Sequence, residues 1–165
     1  MTENAVSTQR SQGRTRPPRV RTGATSRFVV GGQKGYLITG EHTDGTVADV
    51  TIKFAKQGST MAGMMDAVSA AINLGLQAGA PLDEYVEGLT RSRFHPAGPT
   101  DDEELPEATS LLDYVFQRLA LDYIPAQRRA ELGILTAAER NARDGGEAWP
   151  ADLVATAMSA PVTQH

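Results

Sequence analysis

The segment Lys53-Phe54-Ala55-Lys56-Gln57-Gly58-Ser59-Thr60 is where residue types and order best suggest a ligand. It leaves a predicted strand and enters a predicted helix, so the N–H groups around Thr60 and Met61 would point outward at the positive end of a helix dipole. Lys53 and Lys56 would add charge, and Ser59 and Thr60 stand at the helix start, which together make a site for a phosphate-like anion. The plainer account of the same residues is ordinary strand-to-helix capping. A second glycine cluster, Gly31-Gly32-Gln33-Lys34-Gly35, resembles a phosphate loop only superficially. A Walker loop needs a Gly-Lys-Ser/Thr ending that opens a helix, and here Tyr36 opens a strand, so the cluster is a turn.

Other chemistry is sparse. The chain has no cysteine, which excludes a disulfide, a thiolate nucleophile, a redox pair, a thiolate zinc site and an iron–sulfur cluster. The imidazoles are His42, His95 and His165, far apart in sequence and without metal-ligand spacing. Asp101, Asp102, Glu103 and Glu104 lack the ligand alternation and central glycine of a calcium loop and read as a solvated acidic loop. Ser26, Ser59, Ser69 and Ser110 have no evident base beside them. No catalytic residue, cofactor-binding residue or metal ligand is expected.

Charge is concentrated at the N-terminus. Arg10, Arg14, Arg16, Arg19 and Arg21 lie in residues 1–25 with the Pro17-Pro18 pair and almost nothing apolar. Such a segment cannot bury enough surface to offset its ordering entropy, so it is expected to be a disordered basic arm. It acts either as a solubilising tail or as an arm touching phosphates or an acidic partner. The net charge of −4 counts against a wholly cationic nucleic-acid binder.

These candidates need a scaffold. Phe28–Val30, then 36–41, then Ala48, Val50, Ile52 and Phe54 alternating with Asp49, Thr51 and Lys53 predict strands at about 27–31, 35–42 and 46–54, with Asp44-Gly45 as a hairpin signal. Ser59 then caps a helix on which Met61, Met64, Met65, Val68, Ile72 and Leu76 recur at helical spacing, the methionines reading as core with some of them open to facing another domain or chain, and Gly79 closes it. Pro81 opens a second helix, and residues 94–107 read as a loop. A third helix spans about 106–124 and ends at Pro125. Short helices follow at 126–132 and, behind the capping box Thr136-Ala137-Ala138-Glu139, at 137–143. The expected fold class is α+β, a small three-stranded antiparallel meander followed by three main helices packed on one face. The expected organisation is a basic arm at 1–25, a folded domain at 26–125, a helical extension at 126–145 and a flexible tail at 146–165. No stretch approaches the roughly 20 apolar residues of a transmembrane helix, and no apolar leader opens the chain, so a cytoplasmic protein without a membrane partner is expected.

A resemblance rests on motifs spread along this scaffold. They are Gly35-Tyr36-Leu37, Asp44-Gly45, the segment from Ile52 to Thr60, Gly63-Met64-Met65-Asp66-Ala67, Gly79-Ala80-Pro81-Leu82, Arg93-Phe94-His95-Pro96-Ala97-Gly98 and the run from Asp113 to Leu121. In order and spacing over roughly 110 residues, the chain resembles the C-terminal accessory region of adenosylcobalamin-dependent (class II) ribonucleotide reductases, the TSCPD domain. The stretch from Glu131 to Arg140 is similar to the linker that follows this domain in actinobacterial forms. The resemblance implies an association with deoxyribonucleotide synthesis and DNA replication. In that family a large upstream barrel binds the cobalamin and the ribonucleotide, and a cysteine pair in a C-terminal tail delivers electrons. Neither is expected here, so no catalytic position carries over and no cofactor is expected in this chain. The expectation is a non-catalytic accessory or regulatory module that docks on a full-length ribonucleotide reductase or on itself. The alternative is a small nucleotide- or nucleic-acid-binding protein that uses the arm and the anion site.

Overall fold

A computed structural model describes residues 14–145. Three strands, β1 (Gly23–Val30), β2 (Gln33–Glu41) and β3 (Val47–Phe54), form an antiparallel sheet in the order β1-β2-β3. Five helices follow: α1 (Thr60–Gln77), α2 (Leu82–Leu89), α3 (Leu111–Tyr123), α4 (Ala126–Glu131) and α5 (Ala137–Asp144), with two short strands, β4 (Gly98–Pro99) and β5 (Glu107–Ala108), between α2 and α3. The fold is α+β, as the sequence predicts. The chain divides into two compact units, Met1–Ser26 with Tyr36–Pro81, and Arg27–Gly35 with Leu82–His165.

The first unit is organised by β3. Its even-numbered side chains, Ala48, Val50, Ile52 and Phe54, are buried, while Lys53 faces solvent, the period-2 pattern of a strand with one covered face. β3 is an edge strand, and α1 runs along it. Asn73 Oδ1 accepts from Val50 N–H (2.7 Å) and Asn73 Nδ2 donates to the Val50 carbonyl (2.9 Å). Ser69 Oγ accepts from Ile52 N–H (2.9 Å). Two helical side chains thus satisfy backbone groups that an open edge would offer to another strand. The β2–β3 turn is closed by His42 N–H donating to the Thr46 carbonyl (2.8 Å), with Gly45 at φ +82°. Ser59 caps α1 through Ala62 N–H (3.2 Å), and Gly79 follows its C-terminus at φ +94°.

The second unit takes the tip of the β1–β2 hairpin. Gly31 and Gly32, at φ +56° and +80°, make the two-residue turn whose positive angles match strand twist. Phe28 and Val30 are fully buried, the Phe28 ring lying 4.9 Å from that of Tyr114. Gly31 N–H donates to the Pro99 carbonyl (3.0 Å), Val30 bridges Thr100, and β4 pairs antiparallel with β5. Leu111, Val115, Phe116 and Leu119 of α3 are also fully buried.

Three expectations are corrected. β1 begins at Gly23, inside the expected arm. Residues 94–107 are not simply a loop, because they contain β4 and the start of β5. α3 starts at Leu111, not near Pro106, because Ser110 is its N-cap, accepting from Asp113 N–H, and the Pro106 carbonyl accepts from Thr100 N–H.

Candidate functional site

At the expected anion site the geometry is that of capping. Ala55 and Gly58, at φ +64° and +85°, bend the chain between β3 and α1. Ser59 N–H donates to the Lys56 carbonyl (3.0 Å), and its hydroxyl oxygen is taken by Ala62 N–H. Lys53 Nζ lies 2.6 Å from Asp66 Oδ1, both side chains being about half exposed. Thr60 and Lys56 are exposed beside them. The four residues share one junction, but the Asp66 carboxylate already neutralises Lys53 there.

Of the arm residues, Arg10 lies outside the described residues. From Arg14 onward the chain is anchored, which corrects the expectation of disorder for residues 14–25. Arg14 donates to Gln77 Oε1 (2.7 Å) and Thr15 N–H to the Gln77 carbonyl (2.9 Å), at the last turn of α1. Arg21 Nε sits 2.6 Å from Asp49 Oδ2 and its guanidinium also donates to the Pro18 carbonyl. This ion pair passes over Gly40, where a Cβ would fall 2.4 Å from Arg21 Nε and 2.5 Å from Asp49 Oδ2. Only a glycine leaves room for it. A shallow groove of about 370 Å³ beside the pair is lined by Arg19, Val20, Ile38 and Gly40. Arg16 and Arg19 are exposed.

The second unit holds a larger groove, about 500 Å³, that gathers a motif the sequence singles out: Arg93, Phe94, His95, Ala97 and Gly98 on one side, Glu107, Ala108 and Thr109 on the other. A buried carboxylate builds it. Asp113, 3% exposed, accepts from Arg91 N–H (2.6 Å) and Thr109 N–H (2.9 Å), and so holds Arg91 at φ +63°. The His95–Pro96 peptide bond is cis. The groove presents a partly exposed Phe94 ring among arginine, imidazole and carboxylate groups. That suits recognition. Among the described residues no imidazole, amine or carboxylate is hydrogen-bonded to the nearby Ser92–Ser110 hydroxyl pair (2.7 Å).

In the run Asp101–Glu104 the expectation of a solvated acidic loop holds for the exposed Glu103 but not for the other three carboxylates. Asp101 accepts from Val29 N–H (2.6 Å) and Arg27 (3.0 Å), and Glu104 Oε2 accepts from Ala137 N–H (2.5 Å) at the start of α5. Asp102 accepts from Tyr114 Oη (3.0 Å) and Arg118 (3.3 Å), and burial, reinforced by the Asp102 charge, pushes the Tyr114 phenol well above its usual range. Backbone N–H groups of Val29, Glu104 and Ala137 are among the partners of these carboxylates, so half of what holds them is main chain. Among the described residues no group of three or more His, Asp or Glu side chains could hold a metal, and no helix is long and apolar enough to cross a membrane.

The methionines of α1 divide between the core and the surface. Met65 is buried, but Met64 is 56% exposed, and Leu74 on the same helix is 54% exposed.

Comparison with known proteins places these elements. The TSCPD domain family matches residues 8–123. A vitamin B12-dependent ribonucleotide reductase of Streptantibioticus cattleyicolor is 47% identical over 153 residues, covering 90% of this chain and 26% of the relative. That of Streptomyces coelicolor is 46% identical over 157 residues, covering 92% of this chain and 16% of the relative. A more distant one from Bradyrhizobium diazoefficiens is 45% identical over 112 residues, 67% of this chain and 9% of the relative. The chain thus spans only a minor part of the length of these relatives. No solved structure matches. With the domain match running from the arm to the end of α3, the chain belongs to the TSCPD domain family and is related to the vitamin B12-dependent ribonucleotide reductases.

Proposed function

We propose that these residues form a non-catalytic accessory or regulatory module of vitamin B12-dependent ribonucleotide reduction, acting in the cytoplasm by docking on a reductase and so serving deoxyribonucleotide synthesis. The observation that carries the reading is a contrast: identity of 46–47% to such reductases over nine-tenths of the chain, in 165 residues without a single cysteine. Dithiol reduction and a thiyl radical both need sulfur, so the chemistry belongs to the reductase. On this reading adenosylcobalamin is held by the reductase's barrel. The groove around Phe94 is the recognition surface best suited to the contact.

The test is capture with the tagged full chain from extract of its own cells, followed by mass spectrometry and by repetition with purified reductase. Binding of the reductase, weakened by Phe94→Ala together with Arg93→Ala, is the expected result. Retention of nucleic acid in place of reductase, lost on removal of residues 1–25 and weakened by salt, would overturn it in favour of the nucleic-acid reading. The pairing of Lys53 with Asp66 and of Arg21 with Asp49 weighs against that outcome.

A further inference from the structure

A surface helix of a globular protein turns one apolar stripe to the core and a polar face to water. α1 does not. Its core side carries Met65, Ser69 and Ile72. On the opposite side Gly63, Met64, Ala67, Ala70, Ala71 and Leu74 are all exposed, and at 3.6 residues per turn they fall within roughly 120° of the circumference. The only charged residue among the 18 of α1 is Asp66, at the margin of this face and already paired with Lys53.

The order of residues on this face is symmetric. Met64 and Leu74 lie five residues either side of Ser69, and Ala67 and Ala71 two either side. A twofold axis at the level of Ser69 therefore sets two antiparallel copies of α1 with Met64 against the partner's Leu74 and Ala67 against the partner's Ala71, each contact made twice. The large side chains meet towards the ends and the small ones in the middle, which lets the helix axes approach to about 8 Å. Antiparallel placement also opposes the two helix dipoles favourably. We infer that the outer face of α1 is a twofold docking surface for a second copy of this chain. A strip along a helix of about 27 Å falls short of the roughly 800 Å² per partner of a standard stable interface. The dimer is therefore reversible and concentration-dependent.

The experiment uses the purified full chain, so its outcome does not depend on the reductase-docking reading. Sedimentation equilibrium across micromolar to millimolar concentration is expected to show a monomer–dimer equilibrium. Met64→Lys alone and Leu74→Glu alone should each weaken it by about tenfold or more, since each places a charge against an apolar partner. The two together on one chain should restore association, because each introduced lysine then meets an introduced glutamate of the partner. Independently, the double substitution Ala67→Cys with Ala71→Cys, in a chain with no cysteine of its own, should give a covalent dimer under mild oxidation. Both positions are exposed, and circular dichroism verifies that the variants fold. A wild-type chain that stays monomeric throughout, or a charge-pair variant no better than its single parents, overturns the inference. So does loss of reductase capture in Met64→Lys when the chain alone is monomeric, which would give the face to the reductase.

Discussion

Asn73 offers the sharpest test of how α1 is fixed to the sheet. Its amide binds both backbone groups of Val50, at 2.7 and 2.9 Å, standing in for the neighbouring strand that β3 lacks. Val50 is fully buried, so water cannot readily replace the amide. Asn73→Leu keeps the volume and the apolar stem but leaves one N–H and one C=O without partners. At about 1–3 kcal/mol for each buried unsatisfied group, the expected loss is about 2–6 kcal/mol of folding stability. Asn73→Asp is more diagnostic: it retains the acceptor for Val50 N–H but sets a carboxylate oxygen against the Val50 carbonyl. It should be at least as destabilising at neutral pH and recover part of the loss in acid, where the protonated carboxyl can donate. Ser69→Ala, which removes the acceptor for Ile52 N–H and the donor to the Met65 carbonyl, should cost about 1–2 kcal/mol. Urea denaturation gives the stabilities, and amide hydrogen exchange at Val50 and Ile52 localises them. An Asn73→Leu chain within about 0.5 kcal/mol of wild type, with the Val50 amide as protected as before, would refute the reasoning.

Further predictions concern the second unit. Arg129, only 8% exposed, grips Glu139 with two bonds at 2.8 and 3.0 Å, and this contact holds the Glu139 carboxyl below its usual 4.5. A depressed carboxylate contributes fully above its unfolded value and loses that contribution as pH falls through the folded one. Glu139→Gln should therefore lower Tm at neutral pH by an amount that shrinks below pH 4.5; a gap equally wide in strong acid would contradict the assignment. Gly31→Ala should destabilise far more than Gly32→Ala. Both sit at positive φ, but only at Gly31 would the added carbon meet a backbone oxygen, that of Ala97 at 2.5 Å; equal Tm losses would be the contrary result. Tyr114→Phe removes the phenol's bond to Asp102 and should cost about 1 kcal/mol in chemical denaturation, and no measurable change would show that Arg118 and the Glu104 N–H satisfy the carboxylate without it.

What the sequence made legible was local. The alternation of β3, the paired glycines of the first turn, Ser59 at the head of α1 and the Thr136–Glu139 box are each decided by neighbours within a few residues, and each appears where expected. The misses depend on partners distant in sequence. Arg14 finds Gln77 and Arg21 finds Asp49, so a stretch too polar to fold by itself is tied down by α1 and β3. Asp101 and Glu104 look like solvated charges until Val29 and Ala137 supply the N–H groups they accept. β5 has too few residues to show a period. The candidate site was legible as a motif, Arg93 to Gly98, but not as a groove, because its other wall comes from Glu107–Thr109 and its shape from Asp113.

The β1–β2 hairpin changes allegiance along its length: residues up to Ser26 and from Tyr36 belong with β3 and α1, while Arg27–Gly35 belong with the helices after Pro81. Neither unit is a continuous stretch of chain: the chain passes between them three times, after Ser26, Gly35 and Pro81. A fragment ending at Pro81 would keep Phe28 and Val30 but lose Tyr114, Thr100 and Pro99, the groups that shelter and bond the tip, leaving a sticky apolar hairpin in water. A nascent chain would meet the same exposure until its second half emerged. Shuffling or shortening at the natural-looking joint after α1 would thus yield an aggregating product, and this segment should be inherited, lost or transplanted only whole.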